Sequence, residues 1–211
     1  FETKINLLNQ RLLIEPLDLK KEISSDSSIL IKGNFKKNDK IIFESISFKE
    51  KNNKILIKNL ILSKDFKFKD IDSFDIDYLN NNKIRNQLTL KKDKLNFIIE
   101  GKNFDASRLI NQLVDGDDKD SSIFDNLNTK INFKIKKIYI DEINFINKLS
   151  GIINFKNNEI IDAKLNAFFS NEKKINLSIL INDKKEKITR LDTYYPKPLI
   201  KRYKFIKGFE G

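Results

Sequence analysis

The chain of 211 residues is 39% hydrophobic and 34% charged, carries a formal net charge of +11, and contains neither cysteine nor histidine. The missing cysteine excludes disulfide bonds, thiolate nucleophiles and zinc–sulfur sites, and the missing histidine removes the commonest general base and metal ligand. This composition is typical of a soluble fold of one domain or two small ones, and no apolar run reaches the roughly 20 residues of a membrane-spanning helix.

The first hundred residues predict a run of β-strands. Residues 1–21 are irregular and fit either a short amphipathic helix, which Pro16 would end, or an uneven strand. From Ile29 onwards, short segments alternate apolar and polar residues between polar turns, which indicates strands with one buried face. The phase of the alternation shifts between Phe43 and Ile46, and this shift predicts a β-bulge.

A different signal follows Gly101. Asp105 is placed to cap a short helix, and Gly116 is placed to close it. The apolar face of this helix consists of Leu109, Ile110, Leu113 and Val114. The acidic segment Asp115–Ser122 invites comparison with a calcium loop, but Lys119 stands where an EF-hand needs an oxygen ligand. We therefore interpret the segment as a solvated surface loop.

The second half of the chain returns to strands, and the most regular alternation lies in Ile161–Asn182. Its apolar side chains occupy odd positions on both sides of the polar turn Asn171–Lys174, which predicts an antiparallel hairpin. The alternation within each strand places nine apolar side chains on one face of the sheet, and these are our candidates for a lipid groove. They are Phe133, Ile135, Ile153, Phe155, Leu165, Ala167, Phe169, Leu177 and Ile179.

The C-terminal part combines a short strand from Ile188 with a helix that starts at or after Pro198, because a residue that precedes proline disfavours the helical conformation. The whole pattern predicts a mostly β fold, namely an elongated, curved and open antiparallel sheet with two short helices. We treat the chain as one unit, with upstream strands in residues 1–100, a strand-to-helix connection in 101–116, and further strands with a short helix in 127–211.

No motif in the sequence gathers catalytic groups. A Gly-rich phosphate loop, a nucleophile elbow and a helical metal motif are all missing, so we predict no enzymatic activity, no cofactor and no metal site. Basic and aromatic residues interleave at Lys64–Phe68 and Arg202–Phe205, a pattern that can serve stacking on nucleic acid. We instead assign these rings to the apolar face, and we attribute the positive charge to base composition rather than to a specific nucleic-acid partner.

The apolar rows of the strands have two interpretations. In an ordinary sandwich, two sheets bury such rows on each other. In a single curved sheet, the rows stay open as a trough that binds lipid. Composition does not separate the two. Because the sequence contains no Met and ends at Gly211 within a pattern, we also expect it to be a piece of a longer protein.

Residues Lys185–Gly211 carry a resemblance to a known family. Asp192 precedes a short helix around Leu199–Tyr203, and the phrase KFIKGFEG closes the segment. In these features, and in the strand-to-helix segment Gly101–Ser107, the chain resembles the C-terminal region of the AsmA-like family of bridge-like lipid transfer proteins. Residues 193–198, TYYPKP, depart from the small-residue segment of that family. The motif positions are Asp192, Lys204, Phe205, Ile206, Gly208 and Gly211.

The resemblance implies a location and a function. It implies a protein in the periplasm of a diderm bacterium, anchored to the inner membrane through a segment outside this chain. It further implies a long sheet that carries phospholipids between the inner and outer membranes along a hydrophobic groove. The alternatives are an envelope scaffold or outer-membrane assembly factor with a closed β core, and, third, a basic nucleic-acid binder.

Overall fold

The computed structural model describes residues 1–36, 40–109, 127–182 and 184–199. Of these residues, 68% lie in strands, and the fold also contains two short helices. Residues 107–109 and 197–199 are helical, and Glu15–Leu17 form a 3₁₀ turn. The strands are β1 (Glu2–Asn6), β2 (Leu12–Ile14), β3 (Leu19–Lys21), β4 (Ser27–Lys36), β5 (Lys40–Glu50), β6 (Asn53–Ser63), β7 (Phe68–Asp70), β8 (Ser73–Leu79), β9 (Arg85–Asp93), β10 (Asn96–Asp105), β11 (Thr129–Tyr139), β12 (Phe145–Lys156), β13 (Glu159–Phe169), β14 (Lys174–Ile181) and β15 (Lys187–Thr193).

Thirteen of these strands form one large sheet. Its order is β1-β4-β5-β6-β8-β9-β10-β11-β12-β13-β14-β15, and β7 joins it by pairing with β6. The strands β2 and β3 form a separate antiparallel hairpin. The large sheet is not closed, so β1 and β15 stand at its two ends. The predicted fold class, a mostly β open sheet with two short helices, is confirmed.

One junction departs from the predicted antiparallel pattern. The strands β10 and β11 run parallel, with Phe97 opposite Ile131 and Asp105 opposite Tyr139. Parallel neighbours need a long crossover connection, because the chain must return to the end of the sheet from which the first strand started. Residues 106–128 make that connection. The sheet is therefore mixed at this one junction and antiparallel at its other described ladders.

The predicted bulge between Phe43 and Ile46 is confirmed. Lys32 of β4 pairs with Ser45 of β5. The next residue of β4, Gly33, pairs with Phe43, so Glu44 is one extra residue in β5. A bulge of this kind bends its strand and restores the alternation beyond it. It keeps Ile41, Phe43, Ile46 and Phe48 of the 11-residue strand β5 on one face, whereas Ile42 lies on the other.

Pairing between strands gives the sheet one apolar face. Side chains that lie directly opposite each other point to the same face, so partners can be followed from strand to strand. Leu165, for example, pairs with Gly151 on one side and with Leu177 on the other. Followed from β4 to β15, these partners form what we call the apolar row: Ile31, Ile46, Ile57, Phe74, Leu90, Ile99, Phe133, Gly151, Leu165, Leu177 and Leu191.

The opposite face of the sheet is mainly polar. One residue along from the members of the apolar row, the paired side chains are mostly polar, and Leu30 and Leu56 are the two aliphatic ones. This second row includes Ser47, Asp75, Thr89, Glu100, Lys134, Ser150, Asn166, Asn176 and Asp192. The sheet is thus one-sided, as the period-two alternation of the sequence predicts.

The N-terminal residues, for which the sequence leaves two interpretations open, cover part of the apolar face. We call the segment from Leu7 to Lys21 the N-terminal cover; it contains β2, the 3₁₀ turn and β3. Its Leu7 and Leu19 are buried in one cluster with Phe48, Ile55 and other side chains of the sheet. The strand interpretation therefore holds for Glu2–Asn6, whereas the cover that follows is a small hairpin whose apolar side chains complete a core.

A second cluster covers the apolar face nearer to the C-terminus. Ile135 and Phe169 are buried there, and Ala106, Tyr195 and Leu199 pack against the buried group. The rings of Phe169 and Tyr195 meet edge to face, with their centroids 5.6 Å apart. Both clusters lie on the same side of the apolar row. Their strand residues form ladders that are displaced from the row toward the same end of the strands.

Candidate functional site

The apolar row is the feature of the described structure with the greatest extent. It crosses the strands from β4 to β15 at about 4.8 Å per step, which gives a length of roughly 48 Å. Its members between Ile31 and Leu177 are all partly exposed, and Leu191 is 42% exposed. In the adjacent row, Phe48, Ile55 and Ile135 are each no more than 6% exposed. The covering segments therefore bury the adjacent row and leave the apolar row partly open.

The nine side chains predicted to share one face do so in the structure. The pairings of β11 to β14 place each of them on the face of Leu165. Five are partly exposed, and these are Phe133, Ile153, Phe155, Leu165 and Leu177. Four are buried, and these are Ile135, Ala167, Phe169 and Ile179. The five open side chains are the ones that a ligand can reach, and their contact with lipid stays a prediction.

The apolar row has one notch, at Gly151. This glycine has a φ of +144°, and a Cβ built on it would lie 2.0 Å from the carbonyl oxygen of Lys164. No other residue type fits there without movement of β13. The notch separates Phe133 from Leu165 by one strand that carries no side chain at this level. The row is therefore continuous in its backbone pairing and apolar in all its side chains.

The polar face carries a shallow depression of about 520 Å³. Its charged lining residues are Lys54, Lys91, Lys102, Asp75, Asp77 and Glu100. Near its rim, Arg85 forms an ion pair with Asp77 at 2.5 Å. Burial raises the pKa of Asp77, but hydrogen bonds from Arg85 and Gln87 outweigh burial, and the net pKa of Asp77 is lowered. Charges of both signs are balanced here, so the depression favours neither an anionic nor a cationic ligand.

The end of β10 carries a network of polar side chains that the sequence did not predict. The Asp105 carboxylate accepts hydrogen bonds from the side-chain amides of Asn80 and Asn82, at 2.8 and 3.2 Å. It also accepts the backbone N–H of Ser107 at 3.0 Å, which confirms Asp105 as the cap of the short helix. Both carboxylate oxygens thus have partners within the chain, and the network is structural. Three consecutive asparagines such as Asn80–Asn82 are typical of a turn, but nothing in the sequence shows what their amides bind.

The rings of the two basic–aromatic segments, Lys64–Phe68 and Arg202–Phe205, were predicted to lie on the apolar face of the sheet. Phe66 lies in the turn between β6 and β7 and is 65% exposed, so its assignment to the apolar face is wrong. A turn after β6 has no register with the sheet, and alternation therefore does not apply to it. Phe68 does lie in β7, opposite Leu62. The segment Arg202–Phe205 lies outside the described residues.

Other predicted positions also fall outside the described residues. They are the acidic loop Asp115–Ser122 and the motif positions Lys204, Phe205, Ile206, Gly208 and Gly211. The remaining motif position, Asp192, lies in β15 on the polar face, opposite Asn176. Within the described ranges, no three Asp or Glu side chains gather as metal ligands do. No helix in those ranges has the length and apolarity to cross a membrane.

No protein-family model, curated protein or solved structure matches this chain significantly.

Proposed function

We propose that the chain is a segment of a bridge-like protein that carries phospholipids, and that their acyl chains lie along the apolar row. The observation that supports the proposal is the row itself: aliphatic and aromatic side chains paired strand after strand from Ile31 to Leu191, all partly exposed. Monomeric soluble proteins seldom leave so long an apolar surface open, and such surfaces commonly mark a binding site.

The energetics favour an acyl chain as the ligand. Covering apolar surface stabilises a complex by about 25 cal/mol per Å². An acyl chain in water exposes apolar surface along its whole length, and the side chains of the row supply a matching surface that needs no hydrogen-bond partner. The gain is non-directional, because it depends on area and not on orientation.

Movement along the row follows from its uniform chemistry. Every side chain of the apolar row, from Ile31 to Leu191, is apolar, and the glycine at position 151 of the row adds no polar group. A lipid tail that moves from one strand to the next therefore exchanges one apolar contact for another. The polar face offers head groups only water and charges of both signs, so a head group stays in solvent at the margin of the row.

The wider setting is part of the same proposal. The resemblance to the AsmA-like family supports a place in the periplasm, an anchor in the inner membrane outside this chain, and transport between the inner and outer membranes. It also supports the absence of enzymatic chemistry. The competing candidate is an envelope scaffold or outer-membrane assembly factor that carries no lipid and has a closed β core.

Photo-crosslinking tests the proposal at matched positions on the two faces. A photoreactive amino acid at Leu165 or Leu177 should capture phospholipid from vesicles of mixed phospholipids, whereas the same amino acid at Lys164 or Asn176 should not. These pairs differ by one residue along β13 and β14, so position in the sheet is held constant. Equal capture at both faces, or capture at neither, contradicts the proposal.

A charge on the row separates an open face from a closed core. Because Leu165 is partly exposed, Leu165→Asp should keep the fold, as judged by circular dichroism and thermal unfolding. The substitution should also reduce the amount of lipid captured by a photoreactive amino acid at Leu177. Lys164→Asp, on the polar face, is the control and should leave capture unchanged. In a closed core, burial of an unpaired charge is very costly. Unfolding of the Leu165→Asp variant together with no lipid capture therefore favours the scaffold.

A further inference from the structure

The edge strand β15 leaves backbone groups free to pair. In the hairpin that leads into it, the N–H of Asn182 donates to the carbonyl oxygen of Glu186 at 3.0 Å. Antiparallel pairs alternate between hydrogen-bonded and non-hydrogen-bonded, so every second residue of β15 bonds to β14. Lys187, Thr189, Leu191 and Thr193 belong to the other set, and their N–H and C=O groups point away from β14. No described strand pairs with that side of β15.

We propose that β15 pairs with β15 of a second copy of this chain, in an antiparallel two-fold ladder centred on Leu191. The sequence of the strand is self-complementary about that residue. With Leu191 opposite itself, Arg190 lies opposite Asp192 at two symmetric places, and Thr189 lies opposite Thr193. Opposite charges at facing positions stabilise a sheet. Thr189, Leu191 and Thr193 supply three hydrogen-bonded pairs, each of which exchanges two N–H···O bonds, and Lys187 lies beyond the ladder.

Other registers of the same two strands are less complementary. A ladder centred on Arg190 or on Asp192 places like charges directly opposite each other, which destabilises a sheet. A ladder centred on Thr189 places the charged Arg190 opposite the aliphatic Ile188. The register centred on Leu191 is therefore the one that charge selects.

Exposed apolar side chains at this edge also favour pairing. Ile188 is 42% exposed, Leu191 is 42% exposed and Tyr194 is 83% exposed. In the proposed register, Ile188 of one copy faces Tyr194 of the other on the polar side of the sheet. Leu191 meets its counterpart on the apolar side. Natural proteins usually protect an edge strand, and an unprotected one pairs readily.

The dimer would extend the apolar row without interruption. Leu177 and Leu191 of one copy would be followed by Leu191 and Leu177 of the other, because a two-fold axis perpendicular to the sheet keeps both apolar faces on one side. The pairing itself involves only β15 and requires no lipid. Its test is therefore independent of the proposed function.

Disulfide trapping tests the register, since the chain has no cysteine of its own. A hydrogen-bonded antiparallel pair has its Cα atoms about 5.5 Å apart, within the range of a disulfide. Mild oxidation should convert Leu191→Cys into a covalent dimer. Thr189→Cys alone should not react, because the two Thr189 residues are more than about 13 Å apart along the strands. A mixture of Thr189→Cys and Thr193→Cys should form a covalent heterodimer.

Charge reversal tests the contacts. Arg190→Asp places like charges opposite Asp192 twice and should raise the dissociation constant of the dimer about tenfold or more, measured by analytical ultracentrifugation. The double variant Arg190→Asp/Asp192→Arg should restore wild-type affinity, and circular dichroism checks that each variant folds. A monomeric wild-type protein, oligomers that Arg190→Asp leaves intact, or equal crosslinking of Leu191→Cys and Thr189→Cys would each overturn the proposal.

Discussion

The hydroxyl group of Tyr78 donates a hydrogen bond of 2.6 Å to the carbonyl oxygen of Leu17. Tyr78 lies in β8 and is fully buried, whereas Leu17 lies in the 3₁₀ turn of the N-terminal cover. The bond therefore joins two segments that are 61 residues apart in the sequence. It fixes the cover over the sheet and so sets the limit of the open part of the apolar face.

Tyr78→Phe should lower the free energy of unfolding by about 1–2 kcal/mol, because the carbonyl group of Leu17 loses its partner in a buried site. Urea denaturation measures the change. Tyr194→Phe is the matched control, since Tyr194 is 83% exposed and should change stability little. Equal stability of the two variants would show that the bond between the cover and the sheet contributes nothing.

Stability should fall at alkaline pH through the same tyrosine. Burial, and then the negative charges of Asp105 and Asp18, raises the pKa of Tyr78 above its ordinary value of 10.0. The unfolded chain therefore loses the phenolic proton first, so the contribution of Tyr78 is complete below about pH 10 and declines as the pH rises further. The stability difference between the wild type and Tyr78→Phe should shrink above pH 10. A constant difference up to pH 12 would contradict this expectation.

Gly151→Ala should destabilise the sheet by about 1–3 kcal/mol. The φ of +144° is strained for any residue with a Cβ, and the added carbon would meet Lys164 and Leu165 of β13. Thermal unfolding measures the loss. Ser150→Ala, one residue earlier in β12 and on the polar face, is the control and should change stability far less. Equal melting temperatures for the two variants would show that β13 shifts freely.

Lys21→Met should loosen the N-terminal cover and cost roughly 1.5–3 kcal/mol of unfolding free energy. The Lys21 side chain is fully buried, and its ammonium group donates to the carbonyl oxygens of Leu7, Leu8 and Gln10. Methionine fills similar space but leaves these acceptors without a donor. Lys20→Met is the control, because Lys20 forms only an exposed ion pair with Glu22. Hydrogen exchange of residues 7–10 should quicken in the first variant alone.

Within the strands, alternation in the sequence was sufficient to predict the face of the sheet on which the candidate side chains lie, whereas it failed for Phe66 in a turn. From Ile161 onwards, the odd positions of β13 and β14 are apolar and Leu165 faces Leu177, as the hairpin between them required. This succeeds because the period of two is a geometric property of a strand and does not depend on its neighbours. The bulge at Glu44 was predictable for the same reason, since it appears as a change of phase.

Two features were not predicted, for different reasons. The parallel pairing of β10 with β11 depends on where a crossover returns the chain, although the short helix after Asp105 and the long gap to Thr129 were signals of it. The burial of Lys21 had no signal at all. Lysine is rarely buried, and only the fold of residues 7–10 around the ammonium group shows why this one is.

The parallel ladder also divides the chain kinetically. The ladders from β4 to β6, from β8 to β10 and from β11 to β15 join strands that are linked by short turns, and such local contacts form early. Pairing β10 with β11 must first bring together two strands that are separated by residues 106–128 in the sequence, which costs more chain entropy. Since β6 also pairs with β8, the first two ladders form one block. We therefore expect two blocks, β4 to β10 and β11 to β15, to assemble separately and to dock last between Ile99 and Phe133. The strand pairing that forms last then crosses the apolar row. A folding chain therefore has two short apolar surfaces before it has one long one.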